Sequence, residues 1–236
     1  MPSSATARRV AVVTGGYRGI GGATRKELAA TGHTAVSIDL DADAGDPQQY
    51  ACDIADLDAL LATLRRIEAE HGLIEVLVNN AGVFHGKTVF ELTPALFDRS
   101  FAVNVRAMFF ASQHVARRLV DSGRTGAIVN VSSAVGRAGS PYVDYGASKA
   151  AVIGLTRSLG KSLAAHGIRV NAVAPGQVIT DTHRLLAPER QASNLQLIPM
   201  QRPGQPEELA RVIAFLASDG ASFMTSAIVD VNGGKL

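Results

Sequence analysis

A phenol and an ammonium stand four residues apart in the sequence YGASK at 145–149. Residues 142–165 have a helical pattern, and positions i and i+4 share one face of a helix. An ammonium near a phenol favours the phenolate, so Tyr145 is predicted to exchange protons nearer neutral pH than a free tyrosine. This is acid–base chemistry suited to an alcohol or carbonyl oxygen. Taken alone, the Tyr145–Lys149 pair is more simply explained by packing, so the rest of the chain must decide.

A glycine turn near the N-terminus predicts a phosphate site. Residues 9–14 form a short apolar run typical of a buried parallel strand, GGYRGIG follows at 15–21, and residues 22–31 have helical composition. Glycines let the backbone approach a pyrophosphate at a helix N-terminus, and this strand–turn–helix context strengthens the motif. A tight turn without a ligand is the alternative.

A carboxylate, Asp39, ends the second predicted strand over residues 34–38. In a dinucleotide-binding unit this position meets the adenosine ribose, where a carboxylate accepts the hydroxyls of NAD and repels the extra phosphate of NADP. The sequence therefore predicts NAD as the cofactor and NADP as the less favoured one. The alternative for Asp39 is a solvated loop acid, like its neighbours Asp41, Asp43 and Asp46.

Other predicted strands also end in small or polar residues, at the edge where a parallel sheet offers its carboxyl ends to a ligand. Residues 74–78 precede NNAG at 79–82, residues 125–131 precede Ser132 and Ser133, and residues 168–173 precede APG at 174–176. Asn80 has a structural alternative, since asparagine side chains satisfy backbone groups at bends. Asn104 lies in an apolar helical segment over 92–122, where it is either bonded locally or placed for function.

Strands and helices alternate along the whole chain. A helix is predicted to begin at Pro206, and a last strand covers residues 227–231. Residues 181–204 hold three prolines among polar residues and are predicted to form a substrate lid or binding loop. The alternation predicts one α/β domain over 1–236, a doubly wound parallel sheet of the Rossmann type with helices on both faces.

Composition argues against several classes of function. The 236 residues carry a formal net charge of +2 without a basic block, and 5% are aromatic with no Trp, which argues against nucleic-acid binding. No stretch approaches the ~18 apolar residues of a membrane span. The single cysteine, Cys52, fits a cytoplasmic protein, and the scattered histidines indicate no metal site.

The ordered motifs together resemble the short-chain dehydrogenase/reductase family over essentially the whole chain. The matching signatures are TGGYRGIG at 14–21, Asp39, Asp53, NNAG at 79–82, Asn104 in FAVNV, the serine pair in NVSSAVG, YGASK at 145–149 and the Pro-Gly turn in VAPGQVIT. Each is weak alone, and their joint occurrence makes chance a poor explanation of the Tyr145–Lys149 pair. The sequence departs from the pattern at Gln201 and Ser226, where relatives often carry glycine.

The resemblance implies a catalytic tetrad of Asn104, Ser133, Tyr145 and Lys149. Tyr145 would exchange a proton with the substrate oxygen, while hydride passes between the substrate carbon and the nicotinamide. Lys149 would lower the Tyr145 pKa and hold the nicotinamide ribose. Ser133 would bond the substrate oxygen, and Asn104 would hold a water linking Lys149 to solvent. Successive strand residues face opposite ways, so only one of Ser132 and Ser133 can face the cleft, and the resemblance implies that it is the second, Ser133.

The resemblance also implies which residues surround the cofactor. They are Gly15, Arg18, Gly19, Ile20, Gly21, Asp39, Asp53, Ile54, Asn80, Tyr145, Lys149, Val178 and Thr180. Arg18 opposes Asp39 in the choice of cofactor, because a cation in the glycine turn can approach the 2′-phosphate of NADP.

Three functions remain open at this point. The first is hydride transfer between NAD and a secondary alcohol or ketone. The second is reduction of a 3-oxoacyl carrier-protein or another thioester, for which Arg117, Arg118 and Arg137 could serve an acidic partner. The third is a non-catalytic dinucleotide-binding regulatory protein. The apolar faces predicted around 95–121 and 145–165 exceed what one sheet surface can cover, which predicts a homotetramer.

Overall fold

One parallel sheet runs through the protein, whose computed structural model describes residues 8–180, 193 and 195–235. Its strands are β1 Val10–Thr14, β2 Thr34–Asp39, β3 Gln49–Ala51, β4 Ile74–Asn79, β5 Gly126–Val131, β6 Ile168–Pro175 and β7 Ile228–Val231. All pairings are parallel, in the order β3-β2-β1-β4-β5-β6-β7. The predicted fold class, a doubly wound parallel sheet of the Rossmann type, is confirmed.

Helices connect the strands and cover both faces of the sheet. They are α1 Gly19–Ala30, α2 Leu57–His71, α3 Pro94–Phe101, α4 Met108–Asp121, α5 Val135–Ala138, α6 Val143–Leu163 and α7 Pro206–Ala217, with 3-10 turns at Ala164–His166 and Asp219–Ala221. The interior strands are apolar on both faces because helices bury both. Alternate residues of β1 accordingly belong to two cores: Val10 and Val12 pack with α2 and α4, and Ala11 and Val13 with α1 and α7.

The segment predicted as helical over 92–122 forms α3 and α4, which are joined without a break by a π-helical segment. Pro94 occupies the first turn of α3, and the Thr93 hydroxyl oxygen accepts the Leu96 N–H at 3.3 Å, which caps the helix. A π-helical segment, Ala102–Ala107, separates α3 from α4 and contains Asn104. Such segments widen the helix by one residue and are frequent at functional sites.

Two departures from the sequence pattern coincide with unusual backbone. Gln201 and Ser226 have φ angles of 53° and 62°, in the left-handed region that favours glycine. Ser226 also lies against Gly160, where an added Cβ would be 2.3 Å from the Ser226 hydroxyl oxygen. The backbone therefore keeps the conformation of a glycine position while carrying a side chain.

The structure contains one strand that the sequence pattern does not predict, β3, and it describes only part of the predicted lid. The short apolar run at Tyr50 is an edge strand, β3, paired with β2. Of the predicted lid at 181–204, residues 181–192 and 194 lie outside the described residues. Its end does pack on the body: Ile198 is buried, and Gly204 bridges Val178.

Candidate active site

The carboxyl ends of β1, β4 and β5 lie at one edge of the sheet, and Lys149 of α6 contacts the end of β5 there. Strand order reverses beside β1, which is flanked by β2 on one side and β4 on the other. In open α/β sheets, ligands bind in the crevice that this reversal leaves. The sequence motifs at the glycine turn, NNAG, the serine pair and YGASK all lie around this crevice.

Lys149 is buried beside the end of β5. Its Nζ donates a hydrogen bond of 2.9 Å to the carbonyl oxygen of Val131 and lies 5.7 Å from the centroid of the Tyr145 ring. Burial disfavours the charged ammonium and lowers the pKa of Lys149 to about 8. Lys149 therefore remains a cation at neutral pH and loses its proton at a lower pH than a solvated lysine does.

Tyr145 shows a pKa shift opposite to the one expected from its spacing to Lys149. Its surroundings exclude enough water to raise the pKa of the hydroxyl, and a hydrogen bond with the Ser133 side chain opposes this in part. The expected lowering of the Tyr145 pKa is thus a wrong prediction for the protein alone, because burial outweighs the opposing contact, the Ser133 hydrogen bond. Tyr145 is a protonated phenol at neutral pH, the form that can donate a proton.

The two serines after β5 have different environments. The Ser132 hydroxyl is buried and donates a hydrogen bond of 2.8 Å to the carbonyl oxygen of Lys149 in α6. Ser133 turns the other way and hydrogen-bonds Tyr145. This is the alternation on which the choice of Ser133 depends. Ser132 joins β5 to α6, while the Ser133 hydroxyl lies beside that of Tyr145.

Asn104 joins the π-helical segment to two neighbouring elements. Its Oδ1 accepts the Val83 N–H at 2.8 Å, and its Nδ2 donates to the Val83 carbonyl oxygen at 3.1 Å and to Ser148 Oγ at 3.0 Å. A Cβ at Gly82 would lie 3.3 Å from both Asn104 Oδ1 and Lys149 Nζ. Asn104 therefore lies near Lys149, and the water that the resemblance places there stays a prediction.

The glycine turn offers a surface that side chains would fill. Gly15 and Gly19 have φ angles of 65° and 56°, and a Cβ at Gly21 would lie 1.9 Å from the Gly15 carbonyl oxygen. The turn delivers the chain to the N-terminus of α1, where N–H groups and the helix dipole favour anions. Gly19 also faces Thr180, whose methyl group would be 3.6 Å from a Cβ at that glycine.

Asp39 lies at the end of β2, against this turn. Its Oδ2 accepts the Tyr17 N–H at 3.0 Å and its Oδ1 accepts the Leu40 N–H at 2.8 Å. Each oxygen keeps a further lone pair for a hydroxyl donor. The shape of the turn and the Asp39 carboxylate together fit a dinucleotide, with phosphates at Gly15–Gly21 and a ribose at Asp39. Arg18 immediately precedes α1.

Two other predicted cofactor residues, Asn80 and Asp53, have hydrogen-bond partners within the protein, and a third, Ile54, is buried. Asn80 Nδ2 donates to the carbonyl oxygens of Thr14 and Gly15 at 3.0 and 2.9 Å, which fixes the start of the glycine turn. Asp53 forms a two-point ion pair with Arg99, and these hydrogen bonds hold the pKa of Asp53 below its usual value. Ile54 is buried next to it. Asn80 and Asp53 are therefore held in place by the protein itself.

Comparisons with known proteins agree with this arrangement. A family model described as enoyl-(acyl carrier protein) reductase matches residues 15–235. The 3-oxoacyl-(acyl-carrier-protein) reductase FabG of Thermotoga maritima is 36% identical, over 96% of this chain and 97% of the relative. The chain belongs to the short-chain dehydrogenase/reductase family. The cis-4-hydroxycyclohexanecarboxylate dehydrogenase of Sinomonas cyclohexanicum is 41% identical, over 98% of this chain and 97% of the relative.

Solved structures of the same family superpose closely. The crystal structure of gox2181 matches with a TM-score of 0.91 and 32% identity, over 97% of this chain and 96% of that one. A provisionally assigned 2-deoxy-D-gluconate 3-dehydrogenase from Agrobacterium tumefaciens, with NADP bound, matches with a TM-score of 0.88 and 34% identity, over 96% and 95% of the two chains. The chain is therefore an oxidoreductase of this family, with a nicotinamide dinucleotide as cofactor.

Some contacts at the site were not anticipated from the sequence. Asn79 Nδ2 donates to Asn130 Oδ1 at 2.9 Å, and Asn130 Nδ2 donates to Thr156 Oγ1 at 2.9 Å, so a buried polar ladder crosses β4, β5 and α6. Phe84, after NNAG, packs edge-on against Tyr145 with ring centroids 5.2 Å apart. Register between adjacent strands, which brings Asn79 beside Asn130, could have suggested the ladder.

Two classes of feature are absent from the described residues. None of the helices in this part of the chain is long and apolar enough to span a membrane. Across residues 8–180, 193 and 195–235, no group of three or more His, Cys, Asp or Glu side chains could hold a metal ion.

The buried ammonium of Lys149 predicts a pH-dependent stability. Its pKa is about 8 in the fold against 10.5 for the free group, so the unfolded chain binds more protons between these values. Stability therefore rises with pH across this window, by roughly 3 kcal/mol from this group. Denaturant unfolding of wild type and Lys149→Met at pH 7.5 and 10.5 should show this rise in wild type beyond that of the variant. Parallel pH dependences in the two proteins would contradict it.

Proposed function

We propose that the protein transfers a hydride between a nicotinamide cofactor and a secondary alcohol or ketone. The observation that carries this proposal is the arrangement of Ser133, Tyr145 and Lys149. A protonated phenol lies beside a serine hydroxyl, with a buried ammonium 5.7 Å from its ring centroid. Such a group can give a proton to a carbonyl oxygen and stabilise the charge left behind.

Each residue of the tetrad has a proposed part in ketone reduction. When bound, the cofactor supplies the hydride that reaches the substrate carbon. Tyr145 donates its hydroxyl proton to the substrate oxygen, and Ser133 holds that oxygen by a hydrogen bond. The Lys149 cation stabilises the phenolate that Tyr145 becomes. Asn104 holds the Val83 and Ser148 segments around this pair, and alcohol oxidation uses the same groups in reverse.

The surface beside Tyr145 favours a compact apolar substrate. The Phe84 ring lies 4.8 Å from the Tyr142 ring and 5.2 Å from the Tyr145 ring, centroid to centroid, both edge-on. Phe84 is still 40% exposed, so it offers apolar area to a ligand next to the proton donor. The relative named for cis-4-hydroxycyclohexanecarboxylate supports a ring-borne secondary alcohol as substrate, and that ring also carries a carboxylate. The lid predicted from the sequence over 181–204, most of which lies outside the described residues, stays a prediction.

Reduction of a 3-oxoacyl carrier-protein is the second candidate, favoured by the FabG relatives. Two of the three arginines suggested for an acidic partner, Arg118 and Arg137, have protein partners of their own. Arg137 pairs with Asp230 at 2.9 Å and donates to the Ile228 carbonyl oxygen at 2.9 Å, and Arg118 pairs with Glu68 at 3.1 Å. An ACP-linked 3-oxoacyl substrate tested beside small cyclic ketones separates the two candidates by kcat/KM. A non-catalytic role, the third hypothesis, would require that no carbonyl in such a panel is reduced.

Replacing Tyr145 tests the proposed chemistry. Tyr145→Phe removes the proton-bearing oxygen and little packing, so turnover should fall at least about 100-fold. NADH binding, measured by the change in its fluorescence, should stay within about threefold. Tyr50→Phe is a matched control, because the Tyr50 hydroxyl bonds Glu70 and His71 on α2. Retention of most of the wild-type rate by Tyr145→Phe would refute the mechanism.

The cofactor preference proposed here is for NAD(H) over NADP(H). Asp39 would face a 2′-phosphate as a like charge, and two unit charges about 4 Å apart repel by roughly 4 kcal/mol at an effective dielectric near 20. Arg18 can offset part of this, but it can equally pair with the pyrophosphate that both cofactors share. The Agrobacterium neighbour with bound NADP shows that this fold also takes the phosphorylated cofactor. The preference therefore depends on Asp39 itself.

A charge-neutral replacement of Asp39 tests the preference. Asp39→Asn keeps an oxygen that can accept the Tyr17 N–H, so the turn should survive while the charge is lost. The ratio of kcat/KM for NADH to that for NADPH should exceed one in wild type and fall at least about tenfold in the variant. Asp41→Asn, in the exposed loop beyond β2, should leave the ratio unchanged. A wild-type ratio below one would overturn the assignment.

We also propose a homotetramer assembled through α4 and α6. A groove of about 410 Å³ lies between these helices and is lined by Phe109, Gln113, Ala116, Arg117, Val120, Asp121, Leu159, Leu163 and His166. Its apolar members match the surplus apolar faces expected from the sequence. Sedimentation should give about four times the 24.6 kDa of one chain, and Val120→Glu should dissociate the assembly. A wild-type monomer at micromolar concentration would contradict this.

A further inference from the structure

The helical segment from Arg99 to Arg106 touches both ends of the proposed cofactor site. Ser100 and Asn104 are four residues apart and contact α6. Arg99 and Arg106 are seven apart and contact the loop that follows β3. This short helical segment therefore contacts α6 on one face and the loop after β3 on another.

The first face holds the start of α6. Ser100 Oγ donates to Asp144 Oδ2 at 2.5 Å, and both side chains are almost fully buried. One turn on, Asn104 Nδ2 donates to Ser148 Oγ, whose hydroxyl donates to the Tyr145 carbonyl oxygen at 2.9 Å. Asp144 and Ser148 immediately precede Tyr145 and Lys149 in the chain. These two pairs therefore fix the turn of α6 that carries both groups.

The second face holds the loop at Asp53. Arg99 Nη1 and Nη2 donate to the two Asp53 oxygens at 2.9 and 3.0 Å. Arg106 Nη2 donates to the Ala55 carbonyl oxygen at 2.8 Å, and the Ala55 N–H donates to Asp53 Oδ1 at 3.0 Å. A planar guanidinium that bonds both oxygens fixes the orientation of a carboxylate as well as its charge. Asp53 is thus presented in one rotamer.

Stability alone is a poor explanation for the Ser100–Asp144 pair. A carboxylate taken out of water is costly, and apolar residues of similar volume often stabilise such a position better. Asp144 lies in the first turn of α6, where the helix dipole favours an anion. Unlike apolar packing, the Ser100–Asp144 hydrogen bond is directional, and it lies one residue from Tyr145.

We propose that Arg99 and Ser100 are positioning residues for the two ends of the cofactor site. Arg99 orients Asp53 at the adenine end, and Ser100, through Asp144, orients the turn that carries Tyr145. This inference rests on the proposed function, because Asp53 is placed at the adenine by the family pattern. Adjacent side chains on one helix therefore act on different steps, cofactor binding and proton transfer.

The adenine end is tested with Arg99→Lys, which keeps the charge and loses the two-point contact. The KM for NADH and the inhibition constant of AMP should both rise about tenfold, while kcat stays within twofold. Arg66→Lys is the matched control, since Arg66 also bonds a carboxylate, that of Glu70, on the outer side of α2. An unchanged AMP constant in a folded Arg99→Lys protein would overturn this half of the proposal.

The proton-transfer end is tested with three variants. Ser100→Ala and Asp144→Ala should each lower kcat about tenfold and leave the AMP constant within twofold. Asp144→Asn should keep at least half of kcat, because its amide oxygen can still accept the Ser100 hydroxyl proton. Equal losses in Asp144→Asn and Asp144→Ala, or unchanged kcat in all three, would refute the role of Ser100.

These results are separable from a failure of the proposed function. If Tyr145→Phe remains active, the mechanism itself is wrong. If Tyr145→Phe is inactive and the Arg99 and Ser100 variants lower kcat and raise KM together, in step with a loss of melting temperature, only the positioning roles are wrong.

Discussion

The site depends on the burial of one ammonium at the end of β5. Lys149 Nζ bonds the Val131 carbonyl oxygen, and the Ser132 hydroxyl bonds the Lys149 carbonyl oxygen, so α6 is joined to β5 at two points on one residue. Val131 ends the strand and Ser133 lies two residues further on. Fixing Lys149 against Val131 therefore also fixes Tyr145 against Ser133. If the lysine at this position pointed into solvent, nothing in this contact would fix the Tyr145 hydroxyl relative to the Ser133 hydroxyl.

Burying the Lys149 ammonium lowers the stability of the fold, and several polar side chains are buried near it. A buried cation destabilises the fold unless its donors are satisfied, and Lys149 has one described carbonyl partner. Nearby, Asn79, Asn130 and Thr156 form a ladder of side-chain hydrogen bonds, and Asn79 Oδ1 has no partner among the described residues. Buried polar side chains thus lie in the core below Lys149, a pattern expected where function and stability compete.

The features that could be predicted from the sequence are those set by short local motifs. The strand–glycine turn–helix unit and the Asp39 position follow from rules that act within a few residues, and strand alternation adds that only one of Ser132 and Ser133 can face the cleft. The sign of the Tyr145 pKa shift could not be predicted, because spacing locates Lys149 but says nothing about how much water reaches the hydroxyl. The Arg99–Asp53 and Ser100–Asp144 pairs join residues 46 and 44 positions apart, so only the fold reveals them. The three-residue strand β3 was missed for a different reason, since so short a run carries no clear period.

Asp39 combines a structural hydrogen bond with a proposed role in choosing the cofactor. Its carboxylate accepts the Tyr17 N–H, so it helps to hold the glycine turn that is to receive the phosphates. The same carboxylate is proposed to bind the ribose, and its charge is the proposed reason for rejecting a 2′-phosphate. A change of cofactor preference by substitution at Asp39 must therefore keep an acceptor for the Tyr17 N–H, or the turn and the selectivity change together. The charge of the carboxylate is separable from its hydrogen bonding, and that separation is what makes selectivity adjustable without loss of the phosphate site.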